Sequence, residues 1–179
     1  MSSAIFYTVG HSTRSQDELI TLLREAEVGH VVDVRAMPRS RTNPQFNRDA
    51  FADRLETFGI GYSHCVALAG LRSRSETIAA EVNGYWRNRS FHNYADYALS
   101  QSFQSALDAL VDLGRRMVCA VMCAEAVWWR CHRRLIADHL LHRGERVYHL
   151  MGKGRIQPAS MTPAARSAAQ GLLVYPATE

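Results

Sequence analysis

Short apolar runs that alternate with helical patterns are the sequence feature that most limits the fold. Five such runs have the length and the bounding residues of strands: AIFYTVGHS, HVVDVRAM, GYSHCVALAG, RMVCAVMCA and RVYHLM. Most of the segments between them carry helical spacing over roughly ten to twenty positions, which favours parallel strands joined by right-handed crossovers. The sequence therefore predicts the α/β class: a single-domain three-layer fold with a mostly parallel central sheet of about five strands.

Capping residues mark where the helices begin. Ser15 and Glu18 form a capping box ahead of a run of leucines, and Asn47 is the expected N-cap of a second helix. Apolar periodicity predicts one long helix over about residues 93–113 and a further helix over about residues 129–142. The last helix follows RMVCAVMCA, the most hydrophobic run and the expected centre of the sheet.

The chain length of 179 residues suits one domain with a sizeable core. We predict that residues 1–151 form the α/β domain. Residues 71–93 lack a clear period, which is typical of an insertion or of a lid over a site. Residues 152–179 are rich in Ala, Pro and Ser and form a C-terminal extension without an assigned structure.

Composition is that of an ordinary globular protein, with 47% hydrophobic and 21% charged residues. No apolar segment approaches the ~20 residues of a membrane span, and no signal-peptide pattern is visible. A cytoplasmic protein with four free thiols is therefore expected. Of the 21 basic residues only Lys153 is a lysine, a bias compatible with an anionic partner and equally with the codon usage of a GC-rich genome.

Polar side chains lie where the predicted strands end. In an open parallel sheet, ligands bind beyond the carboxyl ends of the strands. The chemically capable residues at these ends, in chain order, are His11, Arg35, His64, Cys123, Glu125 and His149. Strands that only filled a core would have no reason to place such residues at one edge. The pattern predicts a functional site there.

The stretch after the second strand is a shaped basic loop, DVRAMPRSRTNPQFNR. Its prolines and asparagines disfavour a helix, and Arg35, Arg39 and Arg41 offer guanidinium groups. Guanidinium groups, backbone N–H groups and the dipole of a helix that begins near Asn47 would together bind a phosphate. The alternative is a solvated loop in which Asp33 and Arg35 form a structural pair.

The junction after the fourth strand combines thiols, a carboxylate and arginines. Cys131 is expected in the first helical turn, where the helix dipole and Arg133 favour a thiolate. Cys123 and Glu125 lie at the end of the strand, and Glu125 could act as an acid, a base or a nucleophile. A structural ion pair of Glu125 with Arg35 or Arg133 is the alternative.

Three known arrangements compare with this junction. The loop of a cysteine phosphatase has five residues between its Cys and its Arg, whereas six separate Cys123 from Arg130. The phosphatase loop is also rich in glycine, and the loop after Cys123 is not. A rhodanese-like sulfur carrier would also need a glycine-rich cradle after Cys123. The third option is a tetrahedral zinc site, whose ligands would be Cys123, Cys131, His132 and either His11 or His64. A core histidine that caps a carbonyl group is the alternative explanation of His132.

A segment rich in aromatic and basic residues, YWRNRSFHNY, covers residues 85–94. Stacking surfaces between cations are what a single-stranded nucleic acid or a nucleobase would use. A lid that covers a pocket would show the same spacing.

The motifs YTVGHSTRS, VDVRAMPRSRTNPQFN, YSHCVALAG, MCAE and CHRRLIADHL together resemble the Domain of Unknown Function 488 family. The similarity runs from about Tyr7 to Leu150, and one departure is Ala69, where the family usually has glycine. The resemblance implies a compact α/β domain and no established reaction. The residues of the family pattern present here are His11, Asp33, Arg35, Pro38, Ser40, Asn47, Cys123, Glu125, Cys131, His132 and Arg133.

The leading prediction is an enzyme that acts on a phosphate-bearing substrate, such as a nucleotide or a nucleic-acid end. Its predicted catalytic residues are Glu125, Cys123, Cys131 and His11. Its predicted substrate-binding residues are Asp33, Arg35, Arg39, Arg41, Asn47, His64, His132 and Arg133. The alternative is a non-catalytic nucleic-acid-binding module with a structural thiol cluster. The pattern assigns no cofactor, no resident metal, no membrane partner and no oligomeric state.

Overall fold

The computed structural model describes residues 2–178. The strands are β1 (Ile5–Gly10), β2 (His30–Asp33), β3 (Gly61–His64), β4 (Cys119–Cys123), β5 (Arg146–Gly152), β6 (Arg155–Pro158), β7 (Arg166–Ser167) and β8 (Leu173–Val174). The α-helices are α1 (Gln16–Glu25), α2 (Arg48–Glu56), α3 (Arg89–Tyr97), α4 (Gln101–Gly114) and α5 (Arg133–His142). None of these helices is long and apolar enough to cross a membrane.

The central sheet has the strand order β3-β2-β4-β1-β5-β6. Its first five strands are parallel, and β6 pairs antiparallel with β5 at one edge. The predicted α/β class with a mostly parallel sheet is confirmed. Because β4 lies between β1 and β2, the strand order reverses at this point of the sheet. Ligands of open α/β sheets bind outside the carboxyl ends of the strands at such a point.

Side-chain alternation along the strands divides the core into two layers. On β4, Cys119 and Val121 pack with α3, α4 and α5 on one face of the sheet. Ala120 and Met122 pack with α1 and α2 on the other face. The fold therefore has three layers, as the alternation of strands and helices predicts.

The prediction of one helix over residues 93–113 is wrong, because α3 and α4 are separate helices. The break lies at Ser100, whose extended backbone makes it the N-cap of α4. Its side chain accepts a hydrogen bond from the backbone N–H of Phe103 at 3.3 Å. A serine cap competes effectively with continuation of a helix, which apolar periodicity alone does not register.

The start of the helix predicted over residues 129–142 is also wrong. A short 3-10 turn covers Trp128–Arg130, and α5 begins only at Arg133. Cys131 between them has an extended backbone, with φ −123° and ψ 148°. Cys131 therefore lies before the helix and not within its first turn.

The caps predicted for the first two helices are in place. Ser15 is the N-cap of α1 and accepts a hydrogen bond from the backbone N–H of Glu18 at 3.1 Å. Asn47 occupies the N-cap position of α2, but its side chain accepts instead from the backbone N–H of Ser40 at 2.7 Å. Asn47 thus shapes the basic loop as well as starting the helix.

The tail after Gly152 returns to the body of the domain. Tyr175 is fully buried, and its hydroxyl group donates to Asp138 of α5 at 2.9 Å. Its backbone N–H donates at 2.9 Å to the side chain of Asn83, which lies in the segment 71–93. The tail therefore ties α5 to that segment, whose role as a lid stays a prediction.

Buried histidines make the stability of the fold dependent on pH. Burial lowers the pKa of His139 from its ordinary 6.5 to about 3, and the pKa values of His132 and His149 to about 4. Between about pH 6.5 and pH 4 these histidines bind protons in the unfolded chain but stay neutral in the folded chain. The free energy of unfolding therefore falls as the pH decreases from about 6.5 towards 4.

Replacing His139 with leucine is expected to flatten this dependence. One titrating site fewer reduces the slope of the free energy of unfolding by about 1.4 kcal/mol per pH unit between about pH 4 and pH 6. Urea denaturation at a series of pH values measures the slope. Phe103→Leu is the control, because Phe103 packs against His139 with ring centroids 4.8 Å apart and does not titrate. An unchanged slope in His139→Leu contradicts the assignment.

Candidate functional site

A cavity of about 670 Å³ opens at the carboxyl edge of the sheet. Its walls come mainly from the loops that follow β1, β2 and β4, with residues of the segment 70–94 on one side. The predicted site residues that line it are His11, Arg35, Arg39, Cys123, Glu125, Cys131 and His132.

The loops after β1 and β4 run side by side under the cavity. The backbone N–H groups of His11 and Ser12 donate to the carbonyl groups of Cys123 and Ala124 at 2.9 and 3.0 Å. Gly10 permits this approach, since a Cβ atom there would overlap the carbonyl oxygen of Glu125. The sheet pairing is thus extended into the site, and it fixes His11 beside the end of β4.

Asp33 and Arg35 form a buried ion pair at the wall of the cavity, with exposed fractions of 0% and 6%; Arg35 lines the cavity and Asp33 lies behind it. Arg35 donates from Nε and Nη2 to the two carboxylate oxygens of Asp33 at 3.0 and 2.7 Å, and Tyr62 also donates its hydroxyl group to Asp33. Burial alone would lower the pKa of Arg35, but the hydrogen bonds and charge of Asp33 raise it overall. The charge of Arg35 is therefore largely neutralised within the protein.

His11 links this ion pair to the cavity. Its Nδ1–H group donates to the carbonyl oxygen of Ser12 at 2.9 Å, which leaves Nε2 to accept from Nη1 of Arg35 at 3.2 Å. The ring stacks on Phe46 at a centroid distance of 4.5 Å. Burial, assisted by the charge of Arg35, lowers the pKa of His11, so the imidazole is neutral at pH 7.

Cys123 and Cys131 form a hydrogen-bonded pair of thiols at the floor of the cavity. Their Sγ atoms lie 2.8 Å apart, and Cys131 is the donor. Burial raises the pKa of both thiols, but at Cys123 this is outweighed by the hydrogen bond from Cys131 and the charge of Arg133, so that the pKa of Cys123 is lowered. The pKa of Cys131 is raised, because it is buried and holds the proton next to Cys123.

Arg133 is a buried cation beneath this pair. It is 1% exposed, and Nη2 donates to the carbonyl oxygen of Ala126 at 3.2 Å. Its Nε and Nη1 atoms have no hydrogen-bond partner, and no carboxylate within residues 2–178 forms a salt bridge with it. A buried charge requires compensation. Gly10, the neighbour of Cys123 across the strands, lies against Nη1 of Arg133. The thiolate of Cys123 is therefore the compensating anion that this arrangement favours.

His132 fastens the start of α5 to β2. Its Nε2–H group donates to the carbonyl oxygen of Val34 at 3.0 Å, while Nδ1 lies 3.6 Å from Sγ of Cys131. This is the carbonyl-capping arrangement that the sequence leaves as an alternative. Gly70 provides the necessary space, since a Cβ atom there would lie 2.9 Å from Nδ1.

A family model described as "Domain of unknown function DUF488" matches residues 15–140 of the chain. The chain belongs to this DUF488 family. No match is found among curated proteins or among solved structures. The matched range contains the basic loop and the Cys123–Arg133 junction, and His11 lies just before it.

Five predicted site residues of this DUF488 domain do not line the cavity. Asp33 and Arg133 lie buried behind it, and Asn47 holds the basic loop. His64 donates from Nε2 to the carbonyl oxygen of Arg35 at 2.7 Å. Arg41 is exposed on the loop, outside the cavity lining. His149 also lies elsewhere: it bonds Thr8 at 2.6 Å and stacks on Trp128.

Sequence reasoning missed several polar residues of the DUF488 site. Ser12, Thr13 and Asn43 line the cavity, and Tyr62 bonds Asp33 behind it. Ser12 and Thr13 directly follow His11, so the strand-end argument extends to them. Tyr62 lies two positions before His64, the residue that pairs with Asp33 across the sheet. This alternation was the available signal.

The structure does not assemble the zinc ligands considered from the sequence. Among residues 2–178 no group of three or more His, Cys, Asp or Glu side chains could hold a metal ion. His64 faces Arg35, and Nε2 of His11 is engaged by Arg35. The two thiols are thus left with each other and with Arg133.

Proposed function

We propose that the protein is an enzyme that binds a phosphate-bearing substrate, such as a nucleotide or a nucleic-acid end, in the 670 Å³ cavity. The observation that carries this proposal is the thiol pair at the cavity floor beneath arginines that lack acidic partners. Cys123 is the proposed nucleophile, because Arg133 and the hydrogen bond from Cys131 both stabilise its thiolate.

Two arginines at the mouth are the proposed phosphate ligands. Arg39 and Arg130 are exposed and line the cavity, and neither has a salt bridge to a carboxylate within residues 2–178. Among the described residues of the lining, Glu125 is the one that is acidic. Free guanidinium groups next to a single carboxylate favour an anionic ligand.

Glu125 and His11 are assigned different tasks. Glu125 is exposed in the cavity wall and forms no salt bridge with another described residue, so it is available as the acid–base group. His11 is neutral, and both of its nitrogen atoms are engaged. Its hydrogen bonds support a role in holding Arg35 more directly than the predicted role in proton transfer.

The packing of the segment 85–94 supports the enzyme over the nucleic-acid-binding module. Trp86 is 6% exposed and Tyr94 is 1% exposed. The ring of Trp86 packs against Tyr175 at a centroid distance of 5.2 Å, and the hydroxyl group of Tyr94 donates to Leu68 at 2.8 Å. These rings serve the core and the cavity wall, so they offer little free surface on which bases could stack.

Phosphate binding tests the proposal. The double variant Arg39→Gln/Arg130→Gln is expected to lose roughly tenfold or more of the affinity for inorganic phosphate and for nucleoside monophosphates, measured by isothermal titration calorimetry at low salt. Arg41→Gln is the matched control, since Arg41 belongs to the same loop but not to the cavity lining. Turnover of the same nucleotides is assayed in parallel.

Two results of this experiment contradict the proposal. Equal losses in the double variant and in Arg41→Gln indicate general charge attraction and not a cavity site. Binding of oligonucleotides alone, with a steep loss of affinity as salt increases, supports the nucleic-acid-binding module instead.

A further inference from the structure

The two thiols at the cavity floor are arranged for chemistry with each other. Their sulfur atoms are 2.8 Å apart, and a disulfide requires only a small further approach, to about 2 Å. Cys123 ends β4, whereas Cys131 lies in the extended connection between the 3-10 turn at Trp128–Arg130 and α5. Both residues line the cavity, so a small reagent can reach them.

The other two cysteines lack two features of this pair, the neighbouring thiol and the position in the cavity lining. Cys119 is fully buried in the core, and burial raises its pKa to about 11. Cys65 is half-buried, and burial raises its pKa as well. Neither of them lines the cavity or forms a hydrogen bond with a second thiol among the described residues. Cys65 and Cys119 therefore serve as internal references.

We propose that Cys123 and Cys131 form a redox-active dithiol, in which a hydroperoxide that enters the cavity oxidises Cys123 and Cys131 resolves the product as a disulfide. Arg133 supports the attack, since its unpartnered Nε and Nη1 donors and its charge favour the thiolate of Cys123. Cys131 already carries the proton and points it at the sulfur atom of Cys123.

The reaction has two balanced steps. The thiolate of Cys123 attacks one peroxide oxygen, so that an S–O bond forms, the O–O bond breaks, and the alcohol or water leaves with a proton from solvent. The sulfur atom of Cys131 then attacks the sulfenic acid, so that the S–S bond forms, the S–O bond breaks and water leaves. Two electrons pass from the thiols to the peroxide, and an external dithiol returns them.

The inference does not depend on the proposed function. Phosphate binding rests on Arg39 and Arg130 at the mouth, whereas oxidation rests on the sulfur atoms at the floor. Reversible oxidation without phosphate binding is a coherent result, and so is the reverse. A disulfide would occupy the proposed nucleophile, so an oxidised enzyme is expected to be inactive until it is reduced.

Peptide mass spectrometry of the native full-length protein tests the dithiol. The reduced protein is treated with hydrogen peroxide, quenched with an alkylating reagent and digested. We expect a linked peptide pair that joins Cys123 to Cys131, with the loss of two hydrogen atoms, fully reversed by dithiothreitol. The pair should be oxidised roughly tenfold faster than Cys65, or more. Thiols that stay reduced until the protein is unfolded overturn the proposal.

A conservative variant tests the assigned order of the two steps. In Cys131→Ser no resolving thiol remains, so Cys123 should accumulate as a sulfenic acid that dimedone traps and should then progress to an irreversible sulfinic acid. Cys65→Ser should behave like the unaltered protein. If Cys123 in Cys131→Ser reacts with peroxide no faster than Cys65 does, then Cys123 is not the attacking thiolate.

Discussion

Replacing Asp33 with asparagine is expected to lower the free energy of unfolding by about 3–5 kcal/mol. The substitution leaves Arg35 buried, at 6% exposure, without the carboxylate that receives its Nε and Nη2 donors. It also removes the negative charge of the carboxylate that accepts hydrogen bonds from the hydroxyl group of Tyr62 and the backbone N–H of Arg35. Urea denaturation at pH 7 measures the loss. It should be among the largest that a single isosteric change can produce in this protein.

An exposed ion pair provides the matched control. Arg54 and Asp17 also lie 3.0 Å apart, but they are 43% and 78% exposed. Asp17→Asn should therefore change the free energy of unfolding by no more than about 1 kcal/mol. Combining Asp33→Asn with Arg35→Met should recover part of the loss, because the unpaired buried charge is then gone. Similar small losses in Asp33→Asn and Asp17→Asn would mean that Arg35 is compensated elsewhere.

The general architecture and the position of the site follow from local signals in the sequence. Strand-like runs and capped amphipathic helices specify a parallel sheet, and a parallel sheet places its ligands at one edge. His11 and Cys123 could be assigned to that edge because His11 directly follows a strand and Cys123 ends one. The backbone pairing of His11 with Cys123 is the structural form of the same relation.

Residues on irregular connections could not be placed in the same way. Cys131 was expected within a helix, but its extended backbone before α5 brings its sulfur atom to that of Cys123. Arg39 and Arg41 are alternatives of equal weight in the sequence, and only the fold of the loop puts one in the cavity and leaves the other outside. Such loops are shaped by distant contacts, which spacing does not encode.

The tail shows a similar limit. Its composition carries no periodicity, yet Tyr175 is as buried as the aromatic core. Its partners Asn83 and Asp138 are polar and far away in sequence, so a pattern of apolar residues does not predict these contacts. The position of a segment that is held by hydrogen bonds to side chains remote in sequence cannot be predicted from local sequence patterns.

Replacing Arg133 with methionine is expected to raise the pKa of Cys123 and to slow its alkylation at pH 7 roughly tenfold or more. Among the described residues the guanidinium group is the one charged group that favours the thiolate, and its Nε and Nη1 donors have no hydrogen-bond partner. Iodoacetamide labelling across a pH series, followed by peptide mass spectrometry for each cysteine, measures both the rate and its midpoint.

The fold should survive this substitution, which is what makes the test specific. Methionine exchanges a buried and incompletely bonded cation for an apolar chain that can fill part of the same space, and Cys123 then keeps its proton. No unpaired charge is left buried, so the free energy of unfolding should be unchanged or higher. Arg134→Met is the control: its neighbouring guanidinium group packs over the ring of Trp86 at 5.0 Å. If the alkylation of Cys123 is as fast in Arg133→Met as in Arg134→Met, then Arg133 has no part in the reactivity of Cys123.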